Sequence, residues 1–415
     1  MRGISRRNFL AGAGAGMVAA GTRSARAQSE RVIRVGMILP ISGNLAQYAA
    51  NMFPPFRYVV ERINADGGIK SMGGARIELV VADNASGSAG TASEARRLIT
   101  QEKVSFIAGP LVTSEMLALV PVLDEYKVPA LSFTSGDSRS RHLFTIGFHY
   151  EKGYAAPPID FLTYLVKEKQ RSIKSVALVY SNYEAGQQIA NFQEKMITAA
   201  GLTIAARIPV DRTAQDQTST ILRIKSAKPD AVAGLVLTRE GVLMQQARAN
   251  LRYNDTTFFG CGAGYSDVTL WTELGPKLAS QVLTRNLFAT SGFVGGIELP
   301  AATSIVADLQ KEIDAKKMQG PIGHYQIWGA QAARLMQAAF ELAGSNDREA
   351  LTGAFAKVRI EQGSQTLYLP RKELAFGDDN CLTDQTALAL QWMPDGSQQA
   401  VWPTKFARAE PRPFQ

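Results

Sequence analysis

In residues 107–123, "IAGPLVTSEMLALVPVL", an apolar run ends at a Gly-Pro turn, and Thr113-Ser114-Glu115 lead straight into a second apolar run. Two adjacent hydroxyls at such a handover have two uses. One can cap the coming helix by accepting a hydrogen bond from a backbone N–H one turn on. Alternatively the turn can hold an anion, because unpaired N–H groups and the positive end of the helix dipole face outward there. These residues alone leave both readings open. Other chemistry is sparse. Three histidines (His142, His149, His324) come with no Cys/His ligand spacing, and neither a G-x-S-x-G elbow nor a phosphate-binding loop occurs. No pair of acids is placed together for acid–base work. A protein without catalysis, metal or cofactor is expected.

The elements that would position the hydroxyls repeat in a pattern. Strand-like "RVIRVGMILP", a helix near Ala46 to Ala65, "ARIELVVADN", a helix near Gly90 to Glu102, "VSFIAGP", the helix after Ser114 and "VPALSFT" alternate as a parallel α/β unit does. The pattern restarts after "HLFTIGFHYEKGY". It gives "SVALVYS", a helix from Glu184 to Ala200, "LTIAARIPV", a helix over Thr218 to Ala227, "DAVAGLVL", a helix from Gly241 to Asn250, and "TTFFGCG". Three helical stretches follow a Gly-rich loop, and β-like "SQTLYLP", "TALALQWMPDG" and "QQAVWP" end the chain. The fold class is therefore α/β, with two doubly wound parallel-sheet lobes. If the late helices cover the first sheet and the last strands join the second, the chain crosses between lobes three times and leaves a hinged cleft. The expected partition is 28–148 with 286–365 for lobe 1, and 149–285 with 366–415 for lobe 2.

At 415 residues, 46% hydrophobic and 20% charged, the chain has the composition of a globular protein of about two domains. Residues 1–27 carry five arginines and no acid, so removing them takes the formal charge from +8 to +3. That is too mild for a nucleic-acid binder. The same residues read as an export signal. A positive start is followed by a short Gly/Ala-rich apolar middle, with Ala25-Arg26-Ala27 as the cut site and Ser5-Arg6-Arg7-Asn8-Phe9-Leu10 resembling a twin-arginine signal. The expected location is the periplasm, with no membrane span. In that oxidising compartment Cys261 and Cys381 are a possible disulfide, provided their Cα atoms lie within about 7 Å.

From "IRVGMILPISGNLAQYA", "INADGGI", "VVADNAS" and "FIAGPLVTSEMLALVPVLDEYKVPALS", the chain resembles the type I periplasmic binding proteins that feed ABC transporters, in the leucine/isoleucine/valine-binding branch. The resemblance covers about residues 31–402. It implies a small-molecule ligand held between the lobes and an ABC permease at the inner membrane as partner. A ligand-sensing regulator of the same fold is the alternative.

In such relatives, hydroxyls and backbone N–H groups of the first lobe hold the ligand carboxylate. Carried over, the anchors are Thr113 with Ser114 beside it, and Ser135 or Gly136 in "SFTSGD". The resemblance also implies Tyr48 as a pocket aromatic, His149 and Tyr150 as hinge or pocket residues, and Tyr183 as a second-lobe wall. Amino-acid binders of this branch carry an acid after the strand corresponding to "TTFFG". Here Cys261-Gly262-Ala263-Gly264 has none, which leaves Gly262 in the site and no clamp for a ligand ammonium. An unpaired buried ammonium costs several kcal/mol. The expected ligand is therefore a small aromatic or aliphatic carboxylate, with Arg239 as an extra partner. Glu240 is the substitute clamp if the ligand is a hydrophobic amino acid.

Overall fold

The computed structural model describes residues 32–134 and 140–413. The expected leader, and the second anchor at Ser135 or Gly136, lie outside the described residues.

The first sheet contains β1 (Val32–Leu39), β2 (Arg76–Asp83), β3 (Phe106–Ala108), β4 (Ala130–Ser132) and β5 (Leu143–Thr145), in the order β2-β1-β3-β4-β5. Every pairing in it is parallel. The three short strands β3 to β5 are wholly buried, as strands in a parallel sheet covered on both faces are. Helices α1 (Ala46–Ala65), α2 (Ser88–Thr100) and α3 (Thr113–Tyr126) make the connections.

The second sheet is built from β6 (Ser175–Ser181), β7 (Thr203–Val210), β8 (Ala231–Leu235), β9 (Thr257–Cys261) and β10 (Leu287–Ser291). A two-stranded ribbon, β11 (Arg359–Glu361) with β12 (Glu373–Ala375), precedes its last two strands, β13 (Leu388–Trp392) and β14 (Gln398–Trp402). The order is β14-β13-β10-β9-β8-β6-β7, with β13 antiparallel to β10 and to β14. Strand β7 lies at the edge and alternates between exposed and covered residues along most of its length, while its neighbour β6 is almost fully buried. Helices α4 (Ala156–Lys167), α5 (Glu184–Ala199), α6 (Thr218–Ala227) and α7 (Thr238–Asn250) serve this sheet, with three short helices after β9: α8 (Ala263–Ser266), α9 (Thr269–Leu274) and α10 (Pro276–Val282). Helices α11 (Pro300–Asp314), α12 (His324–Ala343) and α13 (Arg348–Phe355) follow.

Two lobe boundaries need correction. Leu287–Ser291 pairs with β9 and β13, so the second sheet runs past the expected boundary at 286. The segment from 366 stays on the first lobe as far as about residue 382. The Tyr368 N–H donates to Gln331 Oε1 at 2.6 Å on α12, the Thr145 N–H donates to the Asn380 carbonyl at 2.9 Å, and Phe376 packs edge-on against Phe144. "SQTLYLP" is accordingly no strand, because helix α12 takes up its polar groups rather than a sheet. Both misplacements have one cause: strand partners and docking surfaces are long-range facts that an apolar run does not carry.

The expected disulfide is also corrected. Both cysteines are buried thiols. Cys261 lies in the second sheet, its Sγ 3.5 Å from the Gly234 carbonyl, whereas Cys381 accepts from Thr145 Oγ1 at 3.3 Å on the first lobe. Among the described residues no helix is long and apolar enough to cross a membrane.

One packing contact decides much of the site. At Gly329 on α12 a Cβ would stand 2.1 Å from the Met52 carbonyl oxygen, so only glycine lets α12 lie this close to α1. Phe56, Val59 and Ile63 of α1 are buried in the same core, where each such side chain contributes about 1.5–3 kcal/mol. The close approach sets Tyr325 and Trp328 of α12 beside Tyr48 and Met52 of α1.

Candidate functional site

The C-terminal ends of the parallel strands in both sheets face one cleft, where open α/β sheets commonly bind ligands. Two spaces occupy it. The inner chamber has a cavity of about 80 Å³ and is walled by Tyr48, Tyr150, Tyr154, Tyr183, Tyr325 and Trp328, with Met52, Phe133, Ile189 and Leu235 completing its apolar surface. The outer vestibule is about 780 Å³ and is lined by polar and charged groups, among them Asp211, Arg212, Gln215, Arg239, Glu240 and Glu273. The vestibule is larger, but the chamber is where hydroxyls from the first lobe and the hinge converge in an apolar surround. Tyr48 and Leu237 line both spaces.

Thr113 opens α3 as its first residue, and the positive φ of Gly109 (100°) makes the turn that brings the chain there. The capping reading is corrected: Val112 is the N-cap position, and neither Thr113 nor Ser114 occupies it. The Thr113 hydroxyl instead lies 3.1 Å from Thr134 Oγ1 and 2.8 Å from the Tyr150 hydroxyl. Tyr150 comes from the wide helical turn Tyr150–Ala155 at the first crossing, so the trio of hydroxyls joins lobe 1 to the hinge. Ser114 is exposed and turns away, its carbonyl accepting from Ser88 Oγ at 3.0 Å. A helix separates neighbouring side chains by about 100°, so only one of two adjacent hydroxyls can face the cleft.

Tyr48 leans edge-on against Tyr325, with ring centroids 5.6 Å apart, and its hydroxyl reaches Thr238 Oγ1 across the cleft at 3.4 Å. Burial pushes its pKa up to about 12, and burial raises Tyr183 and Tyr325 well above the usual range. The chamber wall is therefore neutral at physiological pH. Tyr183 stands at the start of α5, and Arg212 lies over its ring at 5.0 Å. Gly262, with φ of 80°, lines the chamber where a Cβ would press on Leu235 Cγ at 3.1 Å.

Three expected residues do not line the chamber. His149 is outside the chamber lining: its N–H donates to Gln385 Oε1 at 2.7 Å, and its Nδ1 accepts from the Glu151 N–H at 3.2 Å, which makes it the cap of the hinge turn. Arg239 is exposed in the vestibule and donates to Gln215 Oε1 at 2.7 Å. Glu240 is buried, and burial raises its pKa. Its two oxygens accept from Ser181 Oγ at 2.7 and 2.6 Å, and one also takes the Leu237 N–H at 3.0 Å. A carboxylate so engaged within its own lobe is a poor ammonium clamp.

The sequence reading missed Tyr154, Tyr325, Trp328 and Thr134, which no local signal marks as site residues. It also missed an acid near the cleft. Asp267 is 2% exposed, accepts from the Thr269 N–H at 3.0 Å, and lies 3.4 Å from the Thr238 hydroxyl behind Tyr48. Burial raises its pKa. Asp267 comes a short helix later than the stretch in which an acid was sought. Among the described residues no group of three or more His, Cys, Asp or Glu could hold a metal ion.

Residues 32–396 match the periplasmic binding protein family. The chain is 26% identical over 397 residues to Leu/Ile/Val-binding protein homolog 7 of Brucella abortus, covering 92% of this chain and 94% of that protein. It superposes with a TM-score of 0.73 on the branched-chain amino acid transporter substrate-binding protein LivJ of Streptococcus pneumoniae, solved with isoleucine, at 22% identity over 89% of this chain and 98% of that one. The same score and identity relate it to an ABC-transporter solute-binding protein of Rhodopseudomonas palustris solved with 3,4-dihydroxybenzoic acid, over 88% and 95% of the two chains. With two mainly parallel-sheet lobes facing one cleft and a family match over nearly the whole described chain, this protein belongs to the periplasmic binding protein family, and its likeness runs to the leucine/isoleucine/valine-binding type.

Proposed function

We propose that the protein is the periplasmic solute-binding component of an ABC importer, and that its ligand is a small carboxylate with an aromatic or apolar body. The observation that carries this reading is the chamber itself: a neutral wall of five tyrosines and a tryptophan, with the Thr113, Thr134 and Tyr150 hydroxyls clustered at one side. The hydroxyls suit a carboxylate, since hydrogen bonds to a charged group are worth about 1.5–3 kcal/mol each. Aromatic walls suit a flat ring, through offset or edge-on contact. The ligand of the Rhodopseudomonas palustris protein adds support. At about 80 Å³ the chamber is well under the roughly 300–1,000 Å³ usual for ligand pockets, so binding requires its walls to part, as hinge opening would allow.

A hydrophobic α-amino acid is the second reading. Asp267, buried behind Tyr48 and Thr238, is the observation in its favour, because a carboxylate there could meet an ammonium once the cleft moves. The isoleucine of the Streptococcus pneumoniae protein points the same way.

A thermal-shift and calorimetric screen of benzoates, hydroxybenzoates, short aliphatic acids, leucine, isoleucine and valine tests the ligand. Stabilisation by the acids is expected, about 2.7 kcal/mol at 100 times the dissociation constant. Tighter binding of leucine or isoleucine than of any organic acid would replace the first reading with the second. Uptake of the identified ligand by cells lacking this protein separates importer from regulator: uptake is expected to be lost, and wild-type uptake would exclude the transport role.

A further inference from the structure

Arg371 is 2% exposed, and neither its Nε nor either Nη has a hydrogen-bond partner among the described residues. Its guanidinium carbon lies 5.2 Å from the centre of the Phe148 ring. Burial lowers its pKa only to about 10, so it is a cation at neutral pH. Asp384 is the acid that acts on it, yet the oxygens of Asp384 are engaged by the Lys372 N–H at 2.7 Å and by the N–H and hydroxyl of Thr386 at 2.8 and 2.6 Å. A charge buried without a partner is costly, and such groups concentrate where their field is used.

Phe148 connects this charge to the chamber. The Phe148 ring also meets Tyr154 and Trp328, both with centroids 5.4 Å away, and His324 in parallel at 5.9 Å. Tyr154 and Trp328 are chamber walls and Phe148 lies behind them, so the guanidinium stands two rings behind the ligand space. His324 is neutral, its pKa pushed down to about 3 by burial first and by Arg371 second. The Trp328 indole N–H is buried in the same wall without a hydrogen-bond partner among the described residues, a donor suited to an acceptor on a ligand. On the vestibule side the acids are Asp211, Glu273 and Glu240, the last tied to Ser181, and Asp267 is buried behind Tyr48.

An aromatic box does not choose its ligand's charge by itself. Tyrosine and tryptophan faces attract alkylammonium groups through their quadrupoles as readily as they stack on a ring. We propose that Arg371 is a specificity-determining residue, whose charge behind Phe148 biases the aromatic chamber toward anionic ligands and against cationic ones without touching them. Across two aromatic layers, at an effective dielectric of about 20, a unit charge changes the affinity of an anion by up to about tenfold. The inference rests on the carboxylate reading and gives it a second source of selectivity, independent of the Thr113 hydroxyl.

The test compares 3,4-dihydroxybenzoate with 3,4-dihydroxybenzamide, its neutral counterpart, by calorimetry on the mature protein. In Arg371→Met the acid-to-amide affinity ratio should fall about tenfold, with amide affinity little changed, while Arg371→Lys keeps the wild-type ratio. An unchanged ratio in Arg371→Met, or equal loss for both compounds, would overturn the proposal, the second result marking Arg371 as structural only. If Arg371→Met does not fold, Asp384→Asn reads the same field with opposite sign: the ratio should rise, and a constant or falling ratio refutes the idea. Wild-type protein that binds neither compound would instead overturn the carboxylate reading, a result distinct from binding with an unaltered ratio.

Discussion

The hydroxyl of Tyr150 lies 2.8 Å from Oγ1 of Thr113, which ties the first residue of a lobe-1 helix to the turn where the chain first leaves that lobe. A ligand oxygen bound at this pair would engage both the lobe and its hinge. Closure of the cleft would then depend on occupancy, because the bond strengthens only when the hinge turn is in register with α3.

Thr113→Ala should therefore weaken binding of a carboxylate ligand by about 10- to 100-fold, the equivalent of one hydrogen bond to a charged group. Ser114→Ala should leave affinity unchanged, because Ser114 faces outward. Calorimetry on both variants checks the pair. Equal effects from the two substitutions would dissolve the distinction between neighbouring hydroxyls.

Tyr48 separates chamber from vestibule and touches Thr238 across the cleft at 3.4 Å, the long end of hydrogen-bond range. Tyr48→Phe should cost under about 1 kcal/mol in binding. Tyr48→Ala should cost about 2 kcal/mol or more, since it opens the apolar chamber to the vestibule. Dissociation constants for the two variants give the answer, and similar small losses would mean that the ring does not bound the site.

His324 makes a stability prediction whose sign follows from its burial. Its folded pKa, about 3, is below the unfolded value near 6.5, so the unfolded chain binds more protons between those limits. Stability is fully present above pH 6.5 and is lost as pH falls, by up to about 1.4 kcal/mol per pH unit from this group. The buried acids Glu115, Glu240 and Asp267, whose pKa values are raised by burial, act in the opposite sense, and His142, lowered by burial, acts in the same sense as His324. The difference between wild type and His324→Gln in urea melts from pH 6.5 to 5 isolates this histidine: the variant should lose less stability as pH falls, and a slope parallel to wild type would refute the assignment.

The thiols of Cys261 and Cys381 should react with a thiol reagent only on unfolding. Both are buried, and burial raises the pKa of Cys261 far above the range in which a thiolate forms at neutral pH. Two equivalents of fast labelling in the native protein, or none in denaturant, would contradict this.

Sequence alone determined the elements and the ends of the strands from which a site had to be built. The runs "SVALVYS" and "TTFFGCG", and the helices Thr218–Ala227 and His324–Ala343, are written in local periodicity, which is a property of neighbouring residues. Thr113, Tyr48, Tyr150, Tyr183 and Gly262 were legible because they follow strands or open helices within recognisable motifs, and all five line the chamber. Ser114 was placed in the correct segment but is exposed beside the inward-facing Thr113, and His149, expected at hinge or pocket, sits at the hinge and outside the chamber.

Tertiary structure alone decided the rest. Tyr325 and Trp328 reach the chamber only because Gly329 lets α12 lie against α1, and Arg371 stands behind it only because its segment stays with the first lobe instead of joining the second sheet. Glu240 of α7 is engaged by Ser181 at the end of β6, and the two thiols fall in different lobes. Each of these outcomes depends on which distant surfaces bury one another, and that free energy is shared among contacts no single stretch of sequence contains.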